Sequence, residues 1–222
     1  MGPDNGPKIK EKKKMRNKKV LEMTTLAMFA SIIFLMAWFP QIGFIAIPAL
    51  GVSITIVHIP VIIGAMYGGR KVGLYLGLVF GLSSWAMALM RASQPFDLMF
   101  QNPILAVVPR ALFGLSVWYV FAAFKKLVPK KPLSLALTFI TVTLIHTVLV
   151  MGVALAMSPF YEGVLGAELF MFIVTVALPI VAPFEMTIAA LVGTPIVLRL
   201  MQTDLFKEDR EKDAQELNID VN

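Results

Sequence analysis

Long apolar runs recur along this chain, and that one feature restricts its fold more than any other. A helix rises 1.5 Å per residue, so about 20 apolar residues cross a hydrocarbon core of about 30 Å. Runs of this kind lie at about residues 20–39, 52–67, 72–90, 103–124, 133–157 and 184–200. The composition agrees: 58% of the 222 residues are hydrophobic, 15% are charged, and the mean hydropathy is +0.78. The expectation is an all-α integral membrane protein with six transmembrane helices in a compact bundle.

Local signals set the boundaries of these runs. The Pro/Gly-punctuated "QIGFIAIPALG" follows the first run and reads as a loop, as does "RASQPFDLMFQ" after the third. "GGRK" at 68–71 reads as a tight turn between the second and third, and "KKLVPKK" at 125–131 breaks the chain before the fifth. The apolar region 169–200 exceeds one simple span and contains Pro179 and Pro183. Its first part, to about 183, is expected to be an external loop or a short interfacial helix, and the sixth span to begin near Phe184.

Charge placement orients the bundle. Eighteen of the twenty Lys/Arg fall in the amino-terminal arm, the 70–71 turn, the 125–131 loop and the carboxyl tail, all on one side of a six-span topology. The positive-inside rule makes that side cytoplasmic, with both termini. The opposite loops carry Asp97, Glu162 and Glu168. Three parts follow: a basic cytoplasmic arm (1–19), a six-helix membrane domain (20–201) and a charged cytoplasmic tail (202–222). The net charge of +6 comes largely from "KIKEKKKMRNKK", a juxtamembrane orientation signal and contact for the lipid bilayer rather than a nucleic-acid site. The absence of cysteine excludes disulfides and thiolate chemistry.

Small residues mark packing faces. Gly69, Gly73, Gly77 and Gly81 recur every fourth residue on one face of the third run, a ridge against which another backbone can approach, within the bundle or in a second copy. Thr24, Ala27 and Ser31 form a second small face on the first run, suited to an internal or a separate membrane helix.

Against this apolar background the polar residues within the runs stand out: His58, Ser83, Ser84, Arg110, His146, Thr147 and Glu185, with Arg91 and Asn102 at the outer boundary. Arg110, within "QNPILAVVPRALFG", is the most costly, since a guanidinium near the bilayer centre costs from about 2.5 to well over 10 kcal/mol unless it faces protein or a cavity. Asn102 followed by Pro103 is a helix-start signature. Arg110 then lies about 12 Å down the helix. Pro109 removes a backbone donor there, freeing a carbonyl that needs a partner. Nearly all these residues fall at or above mid-membrane on the outer side, as a pocket would. Glu185 is expected to brace Arg110 as an ion pair or to join it in the pocket. No metal-spaced acidic or histidine pair, Gly-rich phosphate loop or nucleophile elbow is present, so no enzyme, cofactor or metal site is expected.

"TIVHIPVIIGAMYGGRKVGLYLGLVFGLSS", "NPILAVVPRALFG", "HTVLVMG" and "EMTIAALV" together resemble the substrate-binding S-component of energy-coupling factor (ECF) vitamin transporters, and most of all the pantothenate type. The resemblance covers about residues 20–200. It implies a multi-pass protein of the bacterial cell membrane that takes a vitamin from the outer face. It further implies docking on one transmembrane coupling protein and two cytosolic ATPase subunits, with transport by toppling. Pantothenate then asks a cation of Arg91 or Arg110 for its carboxylate. Asn102, His146 and Ser84 serve its neutral polar groups, with Thr147, Glu185 and His58 alongside. Arg91 at the rim is alternatively an entry attractor. Alanines four apart on the family's first helix meet the coupling protein; Ala27 and Ser31 match that spacing, next to Thr24. The sequence departs from the family at Ile145, His146 and Thr147, where Thr-Asn-Thr is expected. An S-component for a pyridoxine or hydroxymethylpyrimidine type of vitamin, or a stand-alone secondary transporter, are the alternatives.

Overall fold

A computed structural model describes residues 6–47, 52–91, 98–157 and 170–202. The loop carboxylates Asp97, Glu162 and Glu168 and nearly all of the tail expected at 202–222 lie outside them. The chain runs through α1 (Gly6–Trp38), α2 (Pro40–Gly43), β1 (Phe44–Ile47), β2 (Val52–Thr55), α3 (His58–Arg91), α4 (Pro103–Leu127) and α5 (Lys131–Met157). It ends in α6 (Phe170–Leu200). α3, α4, α5 and α6 are long and apolar enough to cross a membrane, and α1 carries a shorter apolar stretch, Glu22–Trp38.

Three local features depart from or sharpen the sequence expectations. The second apolar run does not start as helix. Residues Val52–Thr55 form a strand paired antiparallel with Phe44–Ile47, Phe44 opposite Thr55 and Ile47 opposite Val52. Val52, Ile54 and Thr55 are β-branched, a side-chain type that fits a pleated strand better than a helix. Within the "loop" after the first run, residues 41–43 belong to α2 and Phe44–Ile47 supply the other half of the strand pair.

The stretch expected to be a loop or interfacial helix up to about 183 is, from Phe170, the first part of α6. Ile173–Val181 winds in wider π-type turns and passes into regular helix over Ala182–Leu200. A proline ring in an α-helix collides with the carbonyl four residues back. The wider i→i+5 turn carries Pro179 without ending the helix. In an apolar environment a continuous helix also satisfies its backbone hydrogen bonds within the segment.

α3 doubles back at Gly69, whose φ of 80° is a left-handed value that glycine tolerates. Residues 65 and 73 would stand about 12 Å apart on one straight helix. Yet a Cβ added at Gly73 would lie 2.8 Å from that of Ala65. The "GGRK" turn therefore folds α3 into two antiparallel arms.

The glycine ridge is consumed inside the bundle. A Cβ at Gly73 would strike the Gly114 carbonyl, one at Gly77 the Arg110 carbonyl, and one at Gly81 would come within 2.7 Å of the Val107 Cα. The partners fall from 114 to 107 as the glycines rise, so the second arm of α3 runs antiparallel to α4 in backbone contact. Elsewhere neighbours pack in chain order, α1 on α3, α4 on α5 and α5 on α6. The interior is filled by Ile33, Ile62, Leu76, Phe80, Leu105, Phe113, Leu135 and Phe139, all buried. Leu82, Leu89, Leu112, Leu144, Val148 and Leu191 point outward, an apolar exterior that suits lipid and would be a liability in water.

Candidate functional site

The site is built on α4. Asn102 caps the helix, its Oδ1 accepting from the Ile104 N–H at 2.9 Å, and Pro103 takes the first helical position. Seven residues on, Pro109 offers no N–H to the carbonyl of Leu105. Arg110 meets that need: its Nη1 donates to the Leu105 oxygen at 2.8 Å, in buried surroundings. The side chain thus runs back toward the amino-terminal end of α4, the direction in which helical side chains lean.

Aromatic rings hold the guanidinium. Its carbon lies 4.4 Å from the Phe100 ring centre and 5.7 Å from that of Phe80, both within cation–π range. Phe80 stands on α3 between Gly77 and Gly81, so the close approach of α3 to α4 brings this ring to Arg110.

The same rings bring in both histidines. His146 lies 5.7 Å from Phe80 and 4.9 Å from Phe113, and stacks on His58 at 5.8 Å with the planes 14° apart. His58 meets Phe113 edge-on at 6.4 Å. Arg110, His146 and His58 therefore share one aromatic floor, although they come from α4, α5 and the start of α3. His58 is 1% exposed, His146 5% and Arg110 6%.

These groups carry unused hydrogen-bonding capacity. Both nitrogens of His58, Nε2 of His146, Nε of Arg110 and Oγ1 of Thr143 are buried with no hydrogen-bond partner. Each such group costs about 1–3 kcal/mol to leave unsatisfied, and buried polar atoms are nearly always paired. Thr143 lies one turn from His146 on the same face of α5. The unpartnered atoms of His58, His146 and Arg110 gather around one set of rings, as a site for a polar ligand requires.

Glu185 lies within electrostatic reach of Arg110 but makes no salt bridge with it. Its Oε1 accepts from the Thr55 backbone N–H at 2.7 Å, fastening the β-hairpin to α6. No ion pair joins Glu185 to Arg110 among the described residues. A strand N–H at the edge of the hairpin supplies the acceptor's partner instead.

The remaining predicted residues divide. Ser83 and Ser84 are buried, and Ser84 follows Phe80 by one turn on the same face. Thr147 is buried, and its hydroxyl is spent on the Thr143 carbonyl at 3.2 Å. Asn102 is half-buried and its oxygen is committed to the cap. Arg91 lies apart and exposed: Nη2 donates to the Trp38 carbonyl at 2.6 Å and the guanidinium stands 5.7 Å from the Trp38 ring, tying the end of α3 to the end of α1. Sequence reasoning missed Phe80, Phe100, Phe113 and Thr143. Phe80, Phe113 and Thr143 were within reach, each one turn from a polar residue already singled out, whereas Phe100 carried no such signal.

On α1, Thr24, Ala27 and Ser31 are exposed, while Thr25, Phe29, Ile33 and Ala37 turn into the bundle. The Ser31 hydroxyl donates to the Ala27 carbonyl at 2.8 Å, which folds its polar end onto the helix and leaves the face smooth.

With this geometry in place, comparison with known proteins gives concordant matches. Residues 21–199 match the family model described as ECF transporter, substrate-specific component. The "Pantothenate transporter PanT" of Leuconostoc mesenteroides is 33% identical over 109 residues, 48% of this chain and 53% of that protein. The "Pantothenic acid transporter PanT" of Lactococcus lactis subsp. cremoris is 30% identical over 121 residues, 48% of this chain and 61% of that protein. The aligned part of this chain thus spans between half and two thirds of each of these two relatives.

Proposed function

The chain belongs to the ECF transporter substrate-specific component family, and from that premise we propose that it is the substrate-capture subunit of an ATP-driven vitamin importer, with pantothenate as the vitamin. The names of the two relatives support this ligand. So does the chemistry of the site: pantothenate brings a carboxylate, an amide and hydroxyls. Arg110 takes the carboxylate, and His146, His58, Ser84 and Thr143 meet the neutral polar groups. Thr147 contributes to the wall, Asn102 sets the depth of Arg110, and Arg91 fastens the rim. The single observation that carries the reading is the set of orphaned buried atoms on Arg110, His146 and His58 around the Phe80 and Phe113 rings.

The proposed topology has six crossings, with α3 contributing one by each arm. The first arm, residues 58–68, is about 16 Å long and reaches partway through the bilayer; the β-hairpin lies at its outer end. Both termini and the basic turns are cytoplasmic, in the bacterial cell membrane, and the Arg110 end opens outward. The hairpin, held by Glu185, is the lid over the ligand. The smooth α1 face of Thr24, Ala27 and Ser31 docks on the transmembrane coupling protein, which with two cytosolic ATPase subunits supplies the energy.

His146, standing where the pantothenate type has asparagine, favours a second reading, an S-component for another vitamin, of the pyridoxine or hydroxymethylpyrimidine type. Mass spectrometry of the ligand released from purified protein separates the two, and pantothenate is the expected result. Reconstitution with and without the ATPase module tests the coupling. Uptake without the module would replace this reading with a stand-alone secondary transporter.

A further inference from the structure

Arg110 has three nitrogens, and the structure uses them unequally. Nη1 is spent on the Leu105 carbonyl at 2.8 Å. Nε is buried without a partner, and among the described residues no hydrogen bond engages Nη2. Nε–H and the adjacent Nη2–H point the same way along the opposite edge of the planar group. That pair is the fork that grips a carboxylate with two parallel hydrogen bonds.

The acceptor that fixes this orientation exists because residue 109 is proline. In a regular helix the Leu105 carbonyl would accept from the N–H of residue 109, and Pro109 has none. Leu105 is fully buried, so water is no substitute. The Phe100 and Phe80 rings hold the plane of the guanidinium, and the carbonyl sets its rotation within that plane.

We propose that Pro109 is a positioning residue for ligand recognition: lacking an N–H, it leaves the Leu105 carbonyl to hold Nη1 of Arg110, which presents the Nε and Nη2 edge to a carboxylate. This rests on the reading that Arg110 binds the carboxylate of the transported vitamin. It deepens that reading by naming what makes the arginine selective for a planar, two-oxygen anion. A kink alone would shape the helix without choosing which edge of the guanidinium faces the ligand.

The test compares two ligands on three proteins. The ligands are pantothenate and its alcohol analogue, in which CH2OH replaces the carboxylate. The proteins are the unaltered chain, Pro109→Ala, and a variant carrying lactic acid at 109 by nonsense suppression. Alanine restores the N–H, which takes the Leu105 carbonyl and releases Nη1. Lactic acid has the side chain of alanine but an ester in place of the N–H. Calorimetric titration of the purified, monodisperse proteins gives the preference for acid over alcohol.

The expected result is a strong acid preference in the unaltered chain and in the lactic acid variant. In Pro109→Ala that preference should fall roughly ten- to hundredfold, the worth of a displaced charge-assisted hydrogen bond, with affinity for the alcohol unchanged. If Pro109→Ala fails to fold, a folded lactic acid variant that keeps the preference carries the proposal. Equal losses on both ligands, an unchanged preference in Pro109→Ala, loss of the preference in the lactic acid variant, or failure of both variants to fold would overturn it. An unaltered chain that ignores the carboxylate would sink the pantothenate reading and this inference together. Intact selectivity in the unaltered chain with any of the former results sinks the inference alone.

Discussion

The contact between Gly77 and Arg110 links the packing of this protein to its proposed chemistry, and Gly77→Ala tests the link. A Cβ at position 77 would collide with the Arg110 backbone oxygen and stand 3.1 Å from the Ala111 Cα. Both obstacles are backbone, so no side chain can rotate aside. The second arm of α3 and α4 must part by about 1 Å to restore ordinary contact. Overpacking of this kind costs about 1–3 kcal/mol, and contact with backbone puts it in the upper part of that range. Alanine returns about 1 kcal/mol in helix propensity. The net loss is then about 1–2 kcal/mol, or roughly 2–8 °C in unfolding midpoint. Because Phe80 rides on α3 and Arg110 and Phe113 on α4, ligand affinity should fall as well. Gly152→Ala is the control: nothing lies within 4 Å of its added Cβ, and it should be neutral or slightly stabilising. The assay is thermal unfolding in detergent followed by intrinsic fluorescence of the three tryptophans, with and without ligand. A thiol-reactive dye is of no use in a chain without cysteine. If Gly77→Ala unfolds at or above the temperature of the unaltered chain and binds normally, the ridge does not seat α4 as described.

Three further outcomes follow from the same geometry. Arg110→Ala should abolish vitamin binding in a folded, monodisperse protein, since it removes the cation and orphans the Leu105 carbonyl; normal binding by titration would displace the site. Glu185→Ala should speed ligand dissociation roughly tenfold by releasing the Thr55 N–H and with it the hairpin, and an unchanged rate in a chase experiment would show that this bond does not hold a lid. Ala27→Trp should spare binding and stop uptake in proteoliposomes with the ATPase module, because Ala27 is exposed on a smooth face; undiminished uptake would exclude that face as the docking surface.

Much of this was legible in the sequence because it depends on residues close together in it. The Asn102 cap and the Pro103 start follow from two adjacent residues, and the orphaned carbonyl from Pro109 alone. The glycine ridge is a spacing of four, and the reversal of α3 was visible as "GGRK". Where reading failed, hydrophobicity was asked to distinguish structures that it does not separate. Residues 52–55, Val-Ser-Ile-Thr, alternate apolar and hydroxyl side chains as a strand does, a signal hidden inside a run read only for its overall hydrophobicity. Two prolines in an apolar stretch look like a break, yet Pro179 sits in wider helical turns and Pro183 in the first turn of the regular helix that follows. Glu185 does interact electrostatically with Arg110, but nothing local announced that its hydrogen bond would come from a strand N–H 130 residues away.

The amino-acid sequence by itself determined the solvent of this protein, the start of α4, the costly arginine within it and the carbonyl that needs a donor, because each follows from composition or from the geometry of a single helix. Only the tertiary structure decided which donor that carbonyl receives, that the glycine ridge meets α4, that His58 and His146 stack on shared phenylalanines, and that Glu185 holds the hairpin. Those partners depend on how each helix is rotated and at what depth it meets its neighbours, quantities set by packing over the whole bundle rather than by any stretch of chain.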